Sequence, residues 1–286
     1  MAPGHIPGTW RAPQALTDAG LVEALSPADV VDMARPAYSV EPQPGTRLRN
    51  GPAIRRFNLE LAEIVAKAVE RDQFPLVIGG DCTILLGALA GRRRFGPLSL
   101  VHVDGHSDFR HPGNYENSEG PMSAAGMDLA LATGRGETLL TEWPGISGQL
   151  VPDTQVVQIG EREGRDADFA WADINDTDFA LIDVFAAREL GVAGVLEKTR
   201  ATLDRTDWPF WLHFDVDALD QAVMPAVDSP GSPGIEAEDL AEILGALVCD
   251  QRCAGMNMTI FDPDLDPNGK LAAFLVEFLV KVLAGM

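Results

Sequence analysis

The sequence predicts an α/β protein built on a mostly parallel β-sheet with helices on both faces. Three observations carry that expectation. Short apolar runs alternate with helical-period segments along the chain, the pattern of repeated βαβ units. The runs are continuously apolar, as strands buried on both faces require. Several of them end in acidic tracts, and in such sheets functional sites form at the carboxyl ends of the strands.

Composition narrows the function classes. Of 286 residues, 46% are apolar, which is enough for a sizeable core and too much for global disorder. No internal repeat or low-complexity linker divides the chain, so residues 1–286 read as a single domain. The 43 acidic against 22 basic residues give a formal net charge of −21, a surface that repels phosphate backbones and anionic lipid. Nucleic acid and membrane are therefore excluded as expected partners. The apolar Leu271–Leu283 stretch is too short to span a bilayer and carries Glu277 and Lys281. Met1–His5 lacks the basic-then-apolar pattern of a signal peptide, so a cytoplasmic location is expected. Cys82, Cys249 and Cys253 form no CxxC pair; the last two, four apart, are expected as apolar thiols on one helix face.

The elements follow in order. Helix-like segments are expected around Ala15–Leu25 and Pro27–Ala34 within a Pro- and Gly-rich N-terminal region. Ile54, Phe57, Leu61, Ile64, Val65 and Ala68 recur at helical spacing and predict a helix over Ala53–Arg71, with Asn50 and Pro52 as start signals. Phe74–Ile78 reads as a buried strand broken by Gly79-Gly80-Asp81-Cys82, with a helix from Thr83 to about Ala90. Leu98–Val103 is the next strand, followed by a loop over Arg110–Gly126 and a helical segment at Asp128–Thr133. Strands are expected at Gln155–Ile159, Phe179–Asp183, Trp208–Phe214 and Asn257–Phe261, and helices at Val192–Asp204, Glu236–Val248 and Leu271–Leu283.

Three of these strands end in possible metal ligands: Asp81-Cys82, then Asp104, His106 and Asp108, then Asp215 and Asp217. If each strand stays extended, alternate residues project to one side. Alone, Asp-x-His-x-Asp is equally a solvated acidic turn with an incidental His; three such strand ends favour a metal site. Four Asp, one His and one Cys suit two ions rather than one. A pair about 3.5–4 Å apart shares carboxylate bridges and a bridging hydroxide that attacks a planar carbon, so hydrolysis is the chemistry expected. His102 and His213, inside strands, are expected to fill core or supporting positions.

The order Gly-Gly-Asp-x, Asp-x-His-x-Asp and Asp-x-Asp-x-x-Asp, from Leu76 to Pro263, resembles the ureohydrolases: arginase, agmatinase, formimidoylglutamase and relatives. That resemblance implies a three-layer α/β/α sandwich of arginase/deacetylase type. It also implies homo-oligomers (trimers or hexamers) and hydrolysis of linear guanidine or amidine C–N bonds in a small-molecule substrate by two Mn ions. Carried over by motif, Asp104 and Asp215 bridge the metals, Cys82 and Asp108 complete one ion, and His106 and Asp217 complete the other. Asp108 also counts among the catalytic residues, and Asp220 is a supporting residue.

The chain departs from the family at three positions. Cys82 stands where a His is usual; a thiolate there adds one negative charge and admits Zn, Fe or Ni beside Mn. Ala125 stands where arginase carries a His proton shuttle, and Glu119 on the same loop is the candidate general acid. Ile260 stands where an acid anchors the guanidinium, with Asp228 and Asp262 as candidate substitutes in substrate binding. A guanidinium entering an apolar slot is desolvated with little return, so the expected substrate is not plain arginine. The alternatives are a non-catalytic oligomeric relative and a mononuclear zinc-type amide deacylase.

Overall fold

The apolar runs pair into one sheet. In the computed structural model, which describes residues 6–114, 122–166 and 170–286, the strands are β1 (Leu76–Ile78), β2 (Ser99–Val103), β3 (Val156–Ile159), β4 (Ala180–Ile182), β5 (Phe210–Asp215) and β6 (Cys253–Thr259). Their order is β1-β6-β5-β2-β3-β4, and every neighbouring pair is parallel. The chain runs outward from β2 to the edge strand β4, then returns to lay β5 against β2. The crevice at the carboxyl ends of β2 and β5 is thus where the strand order reverses.

The helices are α1 (Ala12–Asp18), α2 (Leu21–Leu25), α3 (Gly51–Glu70), α4 (Ile84–Arg93), α5 (Asp128–Ala132), α6 (Thr138–Thr141), α7 (Val184–Leu203), α8 (Ala237–Val248) and α9 (Lys270–Leu283). They make the three-layer sandwich. On one face of the sheet, Val101, Val103, Leu212 and Phe214 share a core with Leu244, Leu275 and Leu279 of α8 and α9. On the other, Leu100 and Trp211 share a core with Leu61, Val65, Leu86 and Leu89 of α3 and α4.

The second face is not wholly apolar, and this positions the site. One level of the parallel register places Gln158, His102, His213 and Asn257 side by side on β3, β2, β5 and β6. All four are buried. Two residues further along, the same face carries Asp215 beside Thr259, with Asp104 just past the end of β2. The polar groups therefore climb the sheet in two steps towards its carboxyl edge.

The sequence-based element boundaries need four corrections. Pro27–Ala34 forms no helix; Val30 and Val31 stay about half exposed, so no buried face repays the ordering of so short a segment. The segment expected at Ala15–Leu25 splits at Gly20, whose φ is 97°. The helix expected from Val192 begins at Val184, where the Asp183 side chain caps the Ala186 N–H at 2.7 Å, and it is interrupted by Gly191 at φ 63°. Cys249 lies exposed at the end of α8 and Cys253 opens β6, because an Asp250–Arg252 turn separates them; they share no helix face.

Helix α4, which starts beside Cys82, lies close against α3. A Cβ on Gly91 would sit 2.6 Å from the Ala62 carbonyl oxygen, a backbone atom that cannot swing aside. Gly91→Ala is expected to destabilise the fold by about 1–3 kcal/mol, despite the ~1 kcal/mol that alanine gains in helix propensity. The denaturant midpoint measures it, and an unchanged or raised midpoint would contradict the close approach.

Candidate metal centre

The strand ends deliver their acidic residues to one buried cluster, by turns rather than by extended strand. Past β2, Asp104 still donates its N–H to the Ile159 carbonyl, but Asp108 takes a left-handed φ of 44°. The three residues of Asp-x-His-x-Asp therefore do not alternate along a strand as expected. Asp217 likewise sits in a 3₁₀ turn over Val216–Ala218, its N–H donating to Asp215 Oδ1 at 2.9 Å. Asp is tolerant of left-handed backbone, which is how one residue type serves both the turn and the site.

Asp104, His106 and Asp217 meet on one side. The His106 Nδ1 lies 2.9 Å from Asp217 Oδ2 and 3.6 Å from Asp104 Oδ1. The His106 N–H donates to Asp104 Oδ1 at 2.6 Å and the Gly105 N–H to Asp217 Oδ1 at 3.0 Å. On the other side, the Cys82 thiol donates to Asp215 Oδ2 at 3.0 Å, and the Thr259 hydroxyl donates to the same oxygen at 3.2 Å. Cys82, Asp104 and Asp215 bring ligand atoms within 4.8 Å of one another, as do Cys82, Asp108 and Asp128. All six sequence-predicted ligands are thus brought together.

The substrate and proton-transfer candidates are placed differently. Asp262 is buried outside the cluster, with Oδ2 accepting from the Gly8 N–H and Oδ1 from the Asp264 N–H, so it ties the N-terminal segment to the loop after β6. Asp228 is half-buried on the loop after Val227. Glu119 lies outside the described residues. Asp220 anchors that same loop, accepting from the Ser232 hydroxyl and the Gly234 N–H. Ala125 opens a half-buried turn whose Gly126 lies near Asp108.

Asp128 escaped the sequence reading, and His102 and His213 stand in the buried positions expected of them. Asp128, His102 and His213 are fully buried and converge behind Asp104. His102 Nε2 lies 3.2 Å from Asp128 Oδ1, and the two imidazoles stack with centroids 4.5 Å apart. The available signal was a His at matching positions of two apolar strands. Asp128 gave none, since an acid opening a helix is commonplace.

Burial and mutual repulsion set the charge of the cluster. Burial, then Asp104 and Asp128, pushes the Asp108 carboxyl well above its ordinary range; burial, then Asp217 and Asp104, does the same to Asp215. Burial and the surrounding carboxylates raise the Cys82 thiol in the same way. For His106, burial disfavours the charged ring, but Asp217 and Asp104 outweigh it and push the pKa up to about 12. Such a cluster is short of positive charge. Asp104 Oδ2 and Asp128 Oδ2 are buried without a hydrogen-bond partner, each 3.8 Å from His213 Nε2. Carboxylates, one imidazole and one thiol make a donor set that fits divalent transition metals, and the site passes that test.

Comparison with known proteins agrees with this geometry. The family model described as "Arginase family" matches residues 4–285. The arginase of Bacillus caldovelox is 30% identical over 280 residues, spanning 95% of this chain and 91% of that protein. The crystal structure of arginase from Bacillus cereus superposes with a TM-score of 0.81 at 27% identity, covering 96% of this chain and 92% of that one. The formimidoylglutamase structure from Bacillus subtilis shares the fold, with a TM-score of 0.72 at 18% identity, covering 99% of this chain and 83% of that one.

The pH dependence of the metal-free chain follows from these shifts. Asp108 and Asp215 keep their protons in the fold at pH values where the unfolded chain, ionising near ~3.9, has lost them, so stability falls as pH rises. The His106 contribution is complete below about pH 6.5 and is lost as pH climbs towards 12, which has the same sign. Metal-free protein is therefore expected to lose roughly 1.4 kcal/mol per pH unit for each proton held only in the fold. Added divalent metal should raise Tm more at about pH 8.5 than at about pH 6.5. Thermal scans with and without metal at both pH values measure this; an equal Tm gain at both would contradict it.

Proposed function

The chain belongs to the arginase family, and on that premise we propose that it is a dinuclear metal hydrolase cleaving a linear, non-peptide C–N bond in a small molecule other than arginine. The observation that carries this reading is the buried convergence of Cys82, Asp104, His106, Asp108, Asp215 and Asp217 at the carboxyl ends of β1, β2 and β5. In the proposed arrangement, Asp104, His106 and Asp217 would hold one divalent ion, and Cys82, Asp108 and Asp215 would hold the other. Bound there, the metals supply Lewis acidity and a water of lowered pKa.

The chain's own residues supply the rest. The Cys82 thiol proton, now donated in a hydrogen bond to Asp215 Oδ2, must leave before sulfur can serve as a ligand. A thiolate there admits Zn, Fe or Ni beside Mn, the ion that the family resemblance suggests. Asp108 sits beside the Cys82 thiol as the candidate catalytic carboxylate, and Glu119 is the sequence-nominated acid for the leaving amine. Ile260 is buried just beyond β6 and donates its N–H to the Gly80 carbonyl. An apolar side chain there offers a guanidinium cation no counter-charge, so plain arginine is a poor fit, and Asp228 is the candidate anchor for a different linear guanidine or amidine. Asp262, engaged with two backbone amides, holds the rim in place. A cytoplasmic homo-oligomer, trimer or hexamer, is part of the same proposal; among the described residues no helix is long and apolar enough to cross a membrane.

Ammonia and urea release across guanidine, amidine and amide panels, with Mn- and Zn-loaded protein, tests the reading. Turnover of a linear guanidine or amidine with little or none of arginine is expected. Cys82→Ala should weaken the binding of one ion by about 10–100-fold. Silence across all three panels in metal-loaded protein would overturn the hydrolase and favour a non-catalytic oligomeric relative.

A further inference from the structure

His213 brings a ring nitrogen to the metal cluster: its Nε2 lies with Cys82, Asp104 and Asp215 among ligand atoms within 4.8 Å of one another. By proximity alone it would replace the imidazole that the chain lacks at Cys82. The hydrogen bonds behind it say otherwise. The Trp211 indole Nε1–H donates to Asn257 Oδ1 at 2.8 Å. An indole nitrogen only donates, so the oxygen of the Asn257 amide must face it, and the amide nitrogen faces the other way. That nitrogen lies 2.7 Å from His213 Nδ1. It too only donates, so Nδ1 must accept and carries no proton. A neutral His213 then bears its proton on Nε2, the nitrogen that points to the cluster.

We propose that Trp211 and Asn257 lock His213 as the Nε2–H tautomer, turning that N–H towards Asp104 and Asp128 and barring it from the metal shell. Nε2 faces Asp104 Oδ2 and Asp128 Oδ2 at 3.8 Å each, and all three atoms are buried without another hydrogen-bond partner. Two acceptors and one donor converging on one space complement each other; two acceptors and a lone pair would not. His213 is thus a positioning residue, orienting Asp104 from behind while that carboxylate faces the ions. The indole that starts the chain of bonds has space reserved for it: a Cβ on Gly255 would sit 2.2 Å from the Trp211 ring.

The lock also explains why sheet register matters at this site. His213 and Asn257 are register partners on β5 and β6, and Trp211 lies two residues before His213 on the same face. The relay is therefore assembled by strand pairing, with no loop involved. Replacing Asn257 by Asp changes one group: a carboxylate accepts from both the indole N–H and His213 Nδ1–H. The tautomer should then invert and leave the Nε2 lone pair facing the cluster, as a ligand-competent imidazole supported by a carboxylate.

Long-range 1H–15N correlation spectra of 15N-histidine-labelled protein read the tautomer directly, in the metal-free and Zn(II)-loaded full chain. The expected His213 pattern is a protonated Nε2 and a bare Nδ1 in both forms, inverted in Asn257→Asp. Protonation of Nδ1 in the wild type, or loss of the Nε2 proton on Zn(II) loading, would overturn the proposal even if the variant fails to fold. The reading stands on the metal centre described above, but the metal-free spectrum is independent of it. A chain that takes up no Zn(II) contradicts the proposed function and leaves the tautomer result intact.

Discussion

Electrostatic repulsion among buried carboxylates is the constraint on which the rest of this structure depends. Asp104, Asp108, Asp128, Asp215 and Asp217 are gathered where water scarcely reaches. Burying an ionised carboxylate costs several kcal/mol unless it is paired. The cations at hand are few: His106 lies against Asp104 and Asp217, and no lysine or arginine side chain forms an ion pair with this cluster among the described residues. A fold that keeps such a cluster has a use for its negative charge, and divalent metal is the partner whose charge and donor preferences match.

The sheet is what forces the gathering. Parallel strands present all their carboxyl ends along one edge, and the reversal of strand order at β2 and β5 opens a crevice there. Side-chain alternation then puts the second polar layer, His102 and His213, one step below Asp104 and Asp215 on the same face. Each layer serves the one above it. Asn257 fixes His213, His213 faces Asp104, and Asp104 joins the two halves of the site. A core of purely apolar side chains would pack as well but would leave Asp104 free to turn.

Much of this was legible in the sequence, for a definite reason. Strands such as Leu98–Val103 are continuous apolar runs, and the candidate ligands Cys82, Asp104, His106, Asp108, Asp215 and Asp217 lie at fixed spacing from their ends. Both features are local. What was hidden depends on register between strands distant in sequence. Nothing along the chain says that His102, His213 and Asn257 stand at one level, or that Asp128, opening a short helix, closes on them. Asp108 and Asp217 reach the cluster through turns and not by alternation along an extended strand. Asp262 had the right charge and neighbourhood for a substrate anchor, yet backbone amides of Gly8 and Asp264 take both its oxygens. The Pro27–Ala34 segment had helix-forming residues and no surface to bury them against.

The proposed departures from the family lie at Cys82, Ala125 and Ile260, while the four candidate carboxylate ligands are kept. On that proposal the hydrolytic chemistry is kept and plain arginine is not the substrate. All of this presupposes that the cluster holds metal. Elemental analysis of the purified chain after reconstitution with Mn(II) or Zn(II) tests that most directly. Two equivalents per chain are expected; none retained with either ion would contradict the account at its root.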